Sequence, residues 1–322
     1  MSELHSPRSL RRLFVKAATA RFARNVPDFV RLKRLVAANG GALRNDHAAI
    51  RTADPAVAAL LVRAARVLGL HREREYLFPA KKLRSFDLQA PGEDAHQFKL
   101  FVSQVDLGAF PPQAAQLVAE DCAAQAAAAD HGPFLALIEQ AERSGGLAAA
   151  DADRFIGHFV GVLMARPGPP LRRATLQAVA AVSGEAASAL ALGPDFNHVT
   201  VDVHAAGYPG IDDMAAAMRA QGFRLLPAIQ GAPGSPLRQT ATLAATMDTP
   251  VIEADGSTGL AQTEKQFVEI IERGQARDAD GAPLWTQDGR PLIFRNFLAA
   301  NAEKIFDAAA TPLRESGLGI RD

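Results

Sequence analysis

The sequence predicts an α+β fold in which two βαβββ units pair into one curved sheet around a cleft, with an N-terminal helix and an α-helical insertion between the units. Three observations predict it. The order strand, helix, strand, strand, strand occurs twice, around residues 44–107 and 196–273. A histidine falls in the first strand of each copy, His47 and His198. Between the copies lies an alanine-rich stretch with helical spacing. What repeats is the order of elements, not the residues. Each unit alone leaves a sheet face uncovered, so pairing into an open eight-stranded sheet is the natural way to bury it.

Each element has a local reason. Residues 8–39 read as helix, kinked or split at Pro27 and stopped at Gly40-Gly41. Residues 44–52 read as a short strand, and Pro55 opens a helix through Val67 that Gly69 closes. Extended segments follow near 73–89 and 96–107, with Pro91-Gly92 as the turn between them. From Pro111 to Leu192 alanine dominates, as in Ala123–Ala129 and Ala178–Ala191. Breaks at Gly132-Pro133, Gly145-Gly146 and Pro167–Pro170 predict a bundle of three or four helices. Residues 196–204 alternate as a strand, and 211–221 form a helix closed by Gly222. Further extended segments lie near 223–229, 237–246 and 263–273, with breaks at Gly231–Pro236 and Asp255-Gly256. The organisation expected is one catalytic unit: helical segment 1–41, first module 42–110, helical insertion 111–193, second module 194–275 and closing segment 276–322.

Composition narrows the function classes. The 322 residues are 48% hydrophobic and 22% charged, ordinary for a globular chain that buries a sizeable core. Lys plus Arg and Asp plus Glu are both 35, and this balance argues against a broad nucleic-acid or anionic-membrane surface. The run from Arg8 to Lys33 is locally basic, with Asp28 its single acid. It reads as a solvated helix face; an organelle-targeting helix and an RNA-binding arm are the alternatives. Most of Leu10, Leu13, Phe14, Val15, Ala18 and Phe22 recur at helical intervals as one buried stripe. The single cysteine, Cys122, allows no internal disulfide and fits a reducing cytoplasm. No uninterrupted apolar run reaches the ~18 residues that span a bilayer, and no signal peptide is visible. The expectation is a cytoplasmic protein acting on a small molecule, with no nucleic-acid or membrane partner; the oligomeric state is left open.

Residues two apart in a strand face one side. Glu269 lies in the last strand of the second unit, within Phe267-Val268-Glu269-Ile270-Ile271-Glu272-Arg273. If the units pair, His47, His198 and Glu269 enter one cleft. Two imidazoles and a carboxylate leave about three positions open on an octahedral ion, which suits iron(II) oxygen chemistry. Redox-inert zinc would hold a chelating acid without activating oxygen. A glutamate among Phe267, Val268, Ile270 and Ile271 would be costly to bury without a metal or an arginine. Rival ligands are His204, which shares strand parity with His198, and Glu272, whose odd offset points it to the other face. His5, His71, His96, His131 and His158 complete the histidines. Arg51, four residues after His47, faces the same side. It can grip a substrate carboxylate in a bidentate fork, orient a metal-bound one, or form a salt bridge to a structural acid.

Asp46-His47-Ala48-Ala49-Ile50-Arg51, Phe196-Asn197-His198, Leu237-Arg238-Gln239-Thr240 and the run Phe267–Gly274 together resemble the 2-oxoadipate dioxygenase/decarboxylase family, over roughly 42–110 and 194–306. The tail Phe297–Phe306 is similar to the family's closing segment. The resemblance implies a vicinal-oxygen-chelate core related to hydroxyphenylpyruvate dioxygenase. It implies that His47, His198 and Glu269 bind Fe(2+), and that Arg51 contacts the substrate carboxylate. The implied substrates are 2-oxoadipate and O2, and the implied products are 2-hydroxyglutarate and CO2, within lysine breakdown. Gln239 is placed to donate a hydrogen bond in the cleft, and Asn301 stands where a serine is expected in the tail, as a substrate contact. Alternatives are a zinc or nickel isomerase or lyase on the same fold, a non-catalytic small-molecule-binding module, and an RNA-binding protein led by residues 8–33.

Overall fold

The computed structural model describes residues 4–92, 95–264 and 266–309. Two helices open the chain, α1 (Pro7–Asn25) and α2 (Pro27–Ala38), broken where Pro27 takes the first position of the second. Ser6 caps α1 by accepting from the Ser9 amide. Leu10, Phe14, Ala18 and Phe22, four residues apart, are fully buried. Arg8, Arg12, Lys16, Arg24 and Lys33 stay exposed. Arg21 pairs with Asp195 at 2.7 Å and Arg31 with Asp28 at 2.7 Å. The basic run is thus partly solvated face and partly tied to the fold.

The first unit follows as β1 (Asn45–Thr52), α3 (Pro55–Val67), β2 (His71–Phe78), β3 (Leu83–Gln89) and β4 (Lys99–Val105). Asp54 caps α3 by accepting from Ala56 N at 2.7 Å. The insertion holds α4 (Pro112–Ala128), α5 (Gly132–Ser144), α6 (Ala149–His158), a π-helical turn (Phe159–Leu163), the two-residue β5 (Leu171–Arg172), α7 (Arg173–Ala180) and α8 (Gly184–Leu192). These are five helices, more than the alanine pattern suggests. The break between α7 and α8 has no glycine or proline ahead of it; it is set by Ser183, whose hydroxyl accepts from Ala186 N. The second unit comprises β6 (Phe196–Asp202), α9 (Ile211–Ala220), β7 (Leu237–Ala241), β8 (Thr246–Ile252), β9 (Thr258–Glu264) and β10 (Phe267–Arg273), and α10 (Ala299–Ile305) comes last.

Seven strands form one curled sheet in the order β2-β3-β4-β1-β6-β10-β7. The halves join where β1 runs antiparallel to β6. Within each half the first and last strands are parallel, β1 with β4 and β6 with β10. The sheet is not the eight-stranded one expected. The segment near 223–229 holds only single bridges to β7 and its flank, at Leu225–Thr242 and Gln230–Gln239. Pro227 lies between them and has no amide to donate to the ladder, and the pairing on either side of it stays at isolated bridges. Expected strand ends also move: 237–246 stops as a strand at Ala241, and 263–273 splits between β9 and β10. β8 and β9 form a hairpin outside the main sheet, pairing with β5 in a three-stranded sheet of order β5-β8-β9.

One sheet face is apolar. Ala48 and Ile50 of β1, Val199 and Val201 of β6, and Val268 and Ile270 of β10 share a core with α1, α2, α3 and α9. Their strand neighbours face the concave side. Gly41 lies where the chain enters β1, and a Cβ there would sit 2.2 Å from the Ala206 carbonyl carbon and oxygen, a close approach that only glycine permits.

Candidate metal centre

β1, β6 and β10 are adjacent, and each sends one side chain to the same point on the concave face. His198 Nε2 lies 3.3 Å from Glu269 Oε2, and His47 Nε2 lies 3.8 Å from the same oxygen. One ligand atom from each of the three residues falls within 4.8 Å of the others, and all three residues are buried. The two imidazoles meet edge to face, 5.6 Å between centroids.

Bulges in the central pair of strands prepare both histidines. On β1 two residues, Asn45 to His47, span one step of β6, so Asp46 is the extra residue. On β6 the step from His198 to Phe196 opposes one step of β1, so Asn197 is extra. Each extra residue stands beside its histidine instead of on the opposite face. Asp46 Oδ1 lies 2.9 Å from His47 Nδ1, and Asn197 Oδ1 lies 3.1 Å from His198 Nδ1. These oxygens select the tautomer with hydrogen on Nδ1, which leaves both Nε2 atoms as acceptors on the cleft side, that of His47 taking the Thr200 hydroxyl at 3.1 Å. Asp46 is itself held by Arg273 through two hydrogen bonds, Nε at 2.6 Å and Nη2 at 2.8 Å. Lys99 Nζ is 3.7 Å away. Arg273 spends its remaining Nη1 on the Phe294 and Asn296 carbonyls, both at 3.0 Å.

The charges follow from burial. Burial pushes the Asp46 carboxyl up, but Arg273 and Lys99 outweigh it and hold it well below the usual carboxylate range. Burial lowers His47, with Asp46 opposing, and lowers His198 well below its ordinary value, helped by the neighbouring His47 and Arg51 charges. Both imidazoles are therefore neutral, the form able to ligate a metal. Burial and the Asp46 charge push Glu269 well above the usual range. Its Oε1 is buried without a hydrogen-bond partner. This carboxyl is short of a cation, which a bound metal would supply.

The pairing registers reveal a fourth, symmetry-related position. Phe267 lies opposite His198, and Glu269 is two residues on. Lys99 lies opposite His47, and the residue two on is Phe101. A ligand stands on one side of the cleft and an aromatic ring on the other. The cavity between them is small, about 20 Å³. Gln239, Phe297, Ala302, Ile305 and Phe306 also line it, with Phe297 4.8 Å from His47, centroid to centroid.

The other residues singled out from the sequence lie as follows. Gln239 lines the cavity, and its Oε1 is buried and unpartnered. Arg51 is on the concave face and buried; its Nη1 is 2.6 Å from Glu185 Oε2 of α8, and its guanidinium carbon is 5.5 Å from the Phe306 ring centroid. The salt bridge to an acid that the strand pattern left open is thus formed. Asn301 is buried, donates to the Leu237 carbonyl at 3.1 Å and is not a cavity-lining residue. His204 lies beyond the end of β6, 3.4 Å from the Tyr208 carbonyl, and does not reach the cluster. Glu272 accepts from Ile211 N at 2.8 Å on the opposite face.

A family model described as 2-oxoadipate dioxygenase/decarboxylase matches residues 14–289. The chain belongs to this family. No curated protein matches the sequence. Among solved structures, a glyoxalase superfamily protein from Ralstonia eutropha superposes with a TM-score of 0.75 at 22% identity, covering 87% of each chain. The hydroxyglutarate synthase of Oryza sativa in complex with 2-oxoadipate gives 0.71 at 18% identity, covering 97% of each chain. That of Pseudomonas putida with 2-oxoadipate gives 0.68 at 23% identity, over 87% of this chain and 67% of the other. At these identities the likeness establishes the shared fold.

For a member of the 2-oxoadipate dioxygenase/decarboxylase family, the donor set fits a divalent metal. Two neutral imidazole nitrogens, a carboxylate with an orphaned oxygen, and one side closed by Phe101 make a three-ligand site. Among the described residues, no helix is long and apolar enough to cross a membrane.

The strand pattern missed Asp46, Asn197, Arg273 and Glu185. Arg273 was readable, since it follows Glu269 by four residues on the same strand face. Asp46 and Asn197 were hidden by the bulges, which reverse strand parity at those residues.

Proposed function

We propose that this chain is an iron(II)-dependent dioxygenase/decarboxylase that converts 2-oxoadipate and O2 into 2-hydroxyglutarate and CO2, a step of lysine breakdown. The single observation carrying this reading is the buried His47–His198–Glu269 cluster in a chain of this family. The reaction balances without an external reductant, because both oxygen atoms of O2 enter the products.

Iron(II) held by His47, His198 and Glu269 supplies open coordination positions and the redox chemistry that activates O2. The rest is the work of this chain's side chains. Asp46, clamped by Arg273, keeps the His47 proton on Nδ1. Asn197 does the same for His198. Gln239 lines the cleft, and its amide NH2 is the group that would donate to the acid's oxygens, while its unpartnered Oε1 can only accept. Arg51 takes the far carboxylate, and this fixed orientation supplies part of the barrier reduction, about 7–11 kcal/mol in the best intramolecular cases. Phe101, Phe297 and Phe306 exclude water from the cleft.

The test is oxygen uptake by anaerobically iron-loaded protein, with 2-hydroxyglutarate and CO2 measured in equal amounts. Uptake that depends on 2-oxoadipate and is lost in Glu269→Ala is expected. Natively folded, iron-loaded protein that takes up no oxygen with this acid refutes the reading.

A further inference from the structure

The helical insertion reaches Arg51, on the same face of β1 as His47, through one acidic side chain. Glu185 is the second residue of α8, behind the Ser183 cap, so its carboxylate sits in the first turn, where the helix dipole favours negative charge. Its side chain is 10% exposed and that of Arg51 4% exposed, and the charged atoms are 2.6 Å apart. The pair nevertheless lacks hydrogen-bond geometry. Arg51 Nε, Arg51 Nη1 and Glu185 Oε2 are all buried with no hydrogen bond made. Charge is compensated while the directional donors of the guanidinium fork go unused. The same guanidinium lies against Phe306, which lines the metal cavity.

We propose that Glu185 is a specificity-determining residue: a resident carboxylate that neutralises Arg51 when no acid is bound and competes with the far carboxylate of an incoming oxo acid for the guanidinium. This rests on the reading of Arg51 under Proposed function. A monocarboxylic oxo acid leaves the Arg51–Glu185 pair undisturbed and gains nothing from Arg51. A dicarboxylic acid takes Arg51 from Glu185, or shares it, and gains the bidentate geometry that Glu185 does not achieve. The insertion therefore sets how strongly the site prefers dicarboxylic over monocarboxylic acids of equal length.

The experiment measures anaerobic binding of 2-oxoadipate and 2-oxohexanoate to the metal-loaded wild type and to Glu185→Gln by calorimetry, with oxygen uptake followed in parallel. In Glu185→Gln the dissociation constant for 2-oxoadipate is expected to fall on the order of 10-fold, the equivalent of one hydrogen bond to a charged group. Binding of 2-oxohexanoate is expected to hold or weaken, because Arg51 is then buried without a partner. The preference ratio rises. A ratio that stays level or falls overturns the proposal and makes Glu185 a support that merely holds Arg51. Glu185→Asp retains the charge with a shorter reach; it is expected to shift the ratio the same way by less, and it serves if circular dichroism shows the glutamine variant unfolded. A shifted ratio without oxygen uptake refutes the reaction and leaves Glu185 standing. Uptake with an unshifted ratio refutes Glu185 alone, and failure of 2-oxoadipate to bind refutes both.

Discussion

Replacing Asp46 with asparagine removes one negative charge from the most heavily buried ion pair of the site. Asp46 is 1% exposed and Arg273 3%. The carboxylate accepts two hydrogen bonds from Arg273, at 2.6 and 2.8 Å, and one from His47 Nδ1 at 2.9 Å. Hydrogen bonds to charged groups contribute about 1.5–3 kcal/mol each, so the two to Arg273 sum to about 3–6 kcal/mol. Asparagine keeps one accepting oxygen but turns an NH2 group towards the donors of Arg273 or His47. The expected loss is therefore about 3–5 kcal/mol, the range seen when one partner of a buried pair is removed. His47 also loses the group that orients it, which weakens metal binding by roughly 10–100-fold. Denaturant unfolding of the metal-free protein at pH 7 reads the first effect, and a competing chelator reads the second. The sign with pH is fixed. The folded-state pKa of Asp46 lies below its unfolded value of ~3.9, so its stabilisation is fully present above that value and is lost as pH falls through the folded pKa. The gap between wild type and Asp46→Asn must narrow in acid. A loss under about 1 kcal/mol with unchanged metal affinity refutes the reasoning, because the Arg273 clamp would then be energetically idle.

Two further predictions follow from single residues. Glu269 has a folded-state pKa well above its unfolded value of ~4.3, so its favourable contribution is present in acid and disappears as pH rises towards the folded pKa. Metal-free Glu269→Gln should then be more stable than metal-free wild type at pH 8, by about 1–3 kcal/mol, and should bind iron far more weakly. Thermal scans at pH 5 and pH 8 check this, and a variant less stable than wild type at pH 8 contradicts it. Gly41→Ala forces a Cβ to within 2.2 Å of the Ala206 carbonyl and should cost about 3 kcal/mol. Gly40→Ala, with φ at +73° and open space around the new Cβ, should cost only about 1–2 kcal/mol. Equal midpoints for the two variants in urea would show that the close approach at Gly41 is not what constrains it.

The convergence of the three candidate ligands was legible because strand parity is a local property. His47, His198 and Glu269 alternate with Ala48, Val199 and Val268, which face the helical core. The same rule put Glu272 on the far side, where it meets α9. The rule fails wherever a strand gains a residue. Asp46 and Asn197 are those extra residues, and no periodicity in a single chain announces a bulge. The number of helices in the insertion was likewise blurred, because alanine favours helix throughout and the break before α8 is marked by no more than Ser183-Gly184.

By itself the sequence determined the repeated order of elements, the proline and glycine punctuation that ends the helices, and the facing of each candidate ligand. These depend on neighbours along the chain, where steric and capping preferences act. Only the tertiary structure decided that β1 and β6 lie side by side, and that the hairpin β8–β9 leaves the main sheet for β5. It also decided that Phe101 occupies the position symmetric to Glu269 and that Glu185 reaches Arg51 from 134 residues along the chain (185 minus 51). Such pairings are set by which surfaces bury each other and which buried charges find a partner, and these energies belong to the assembled fold, not to any segment of it.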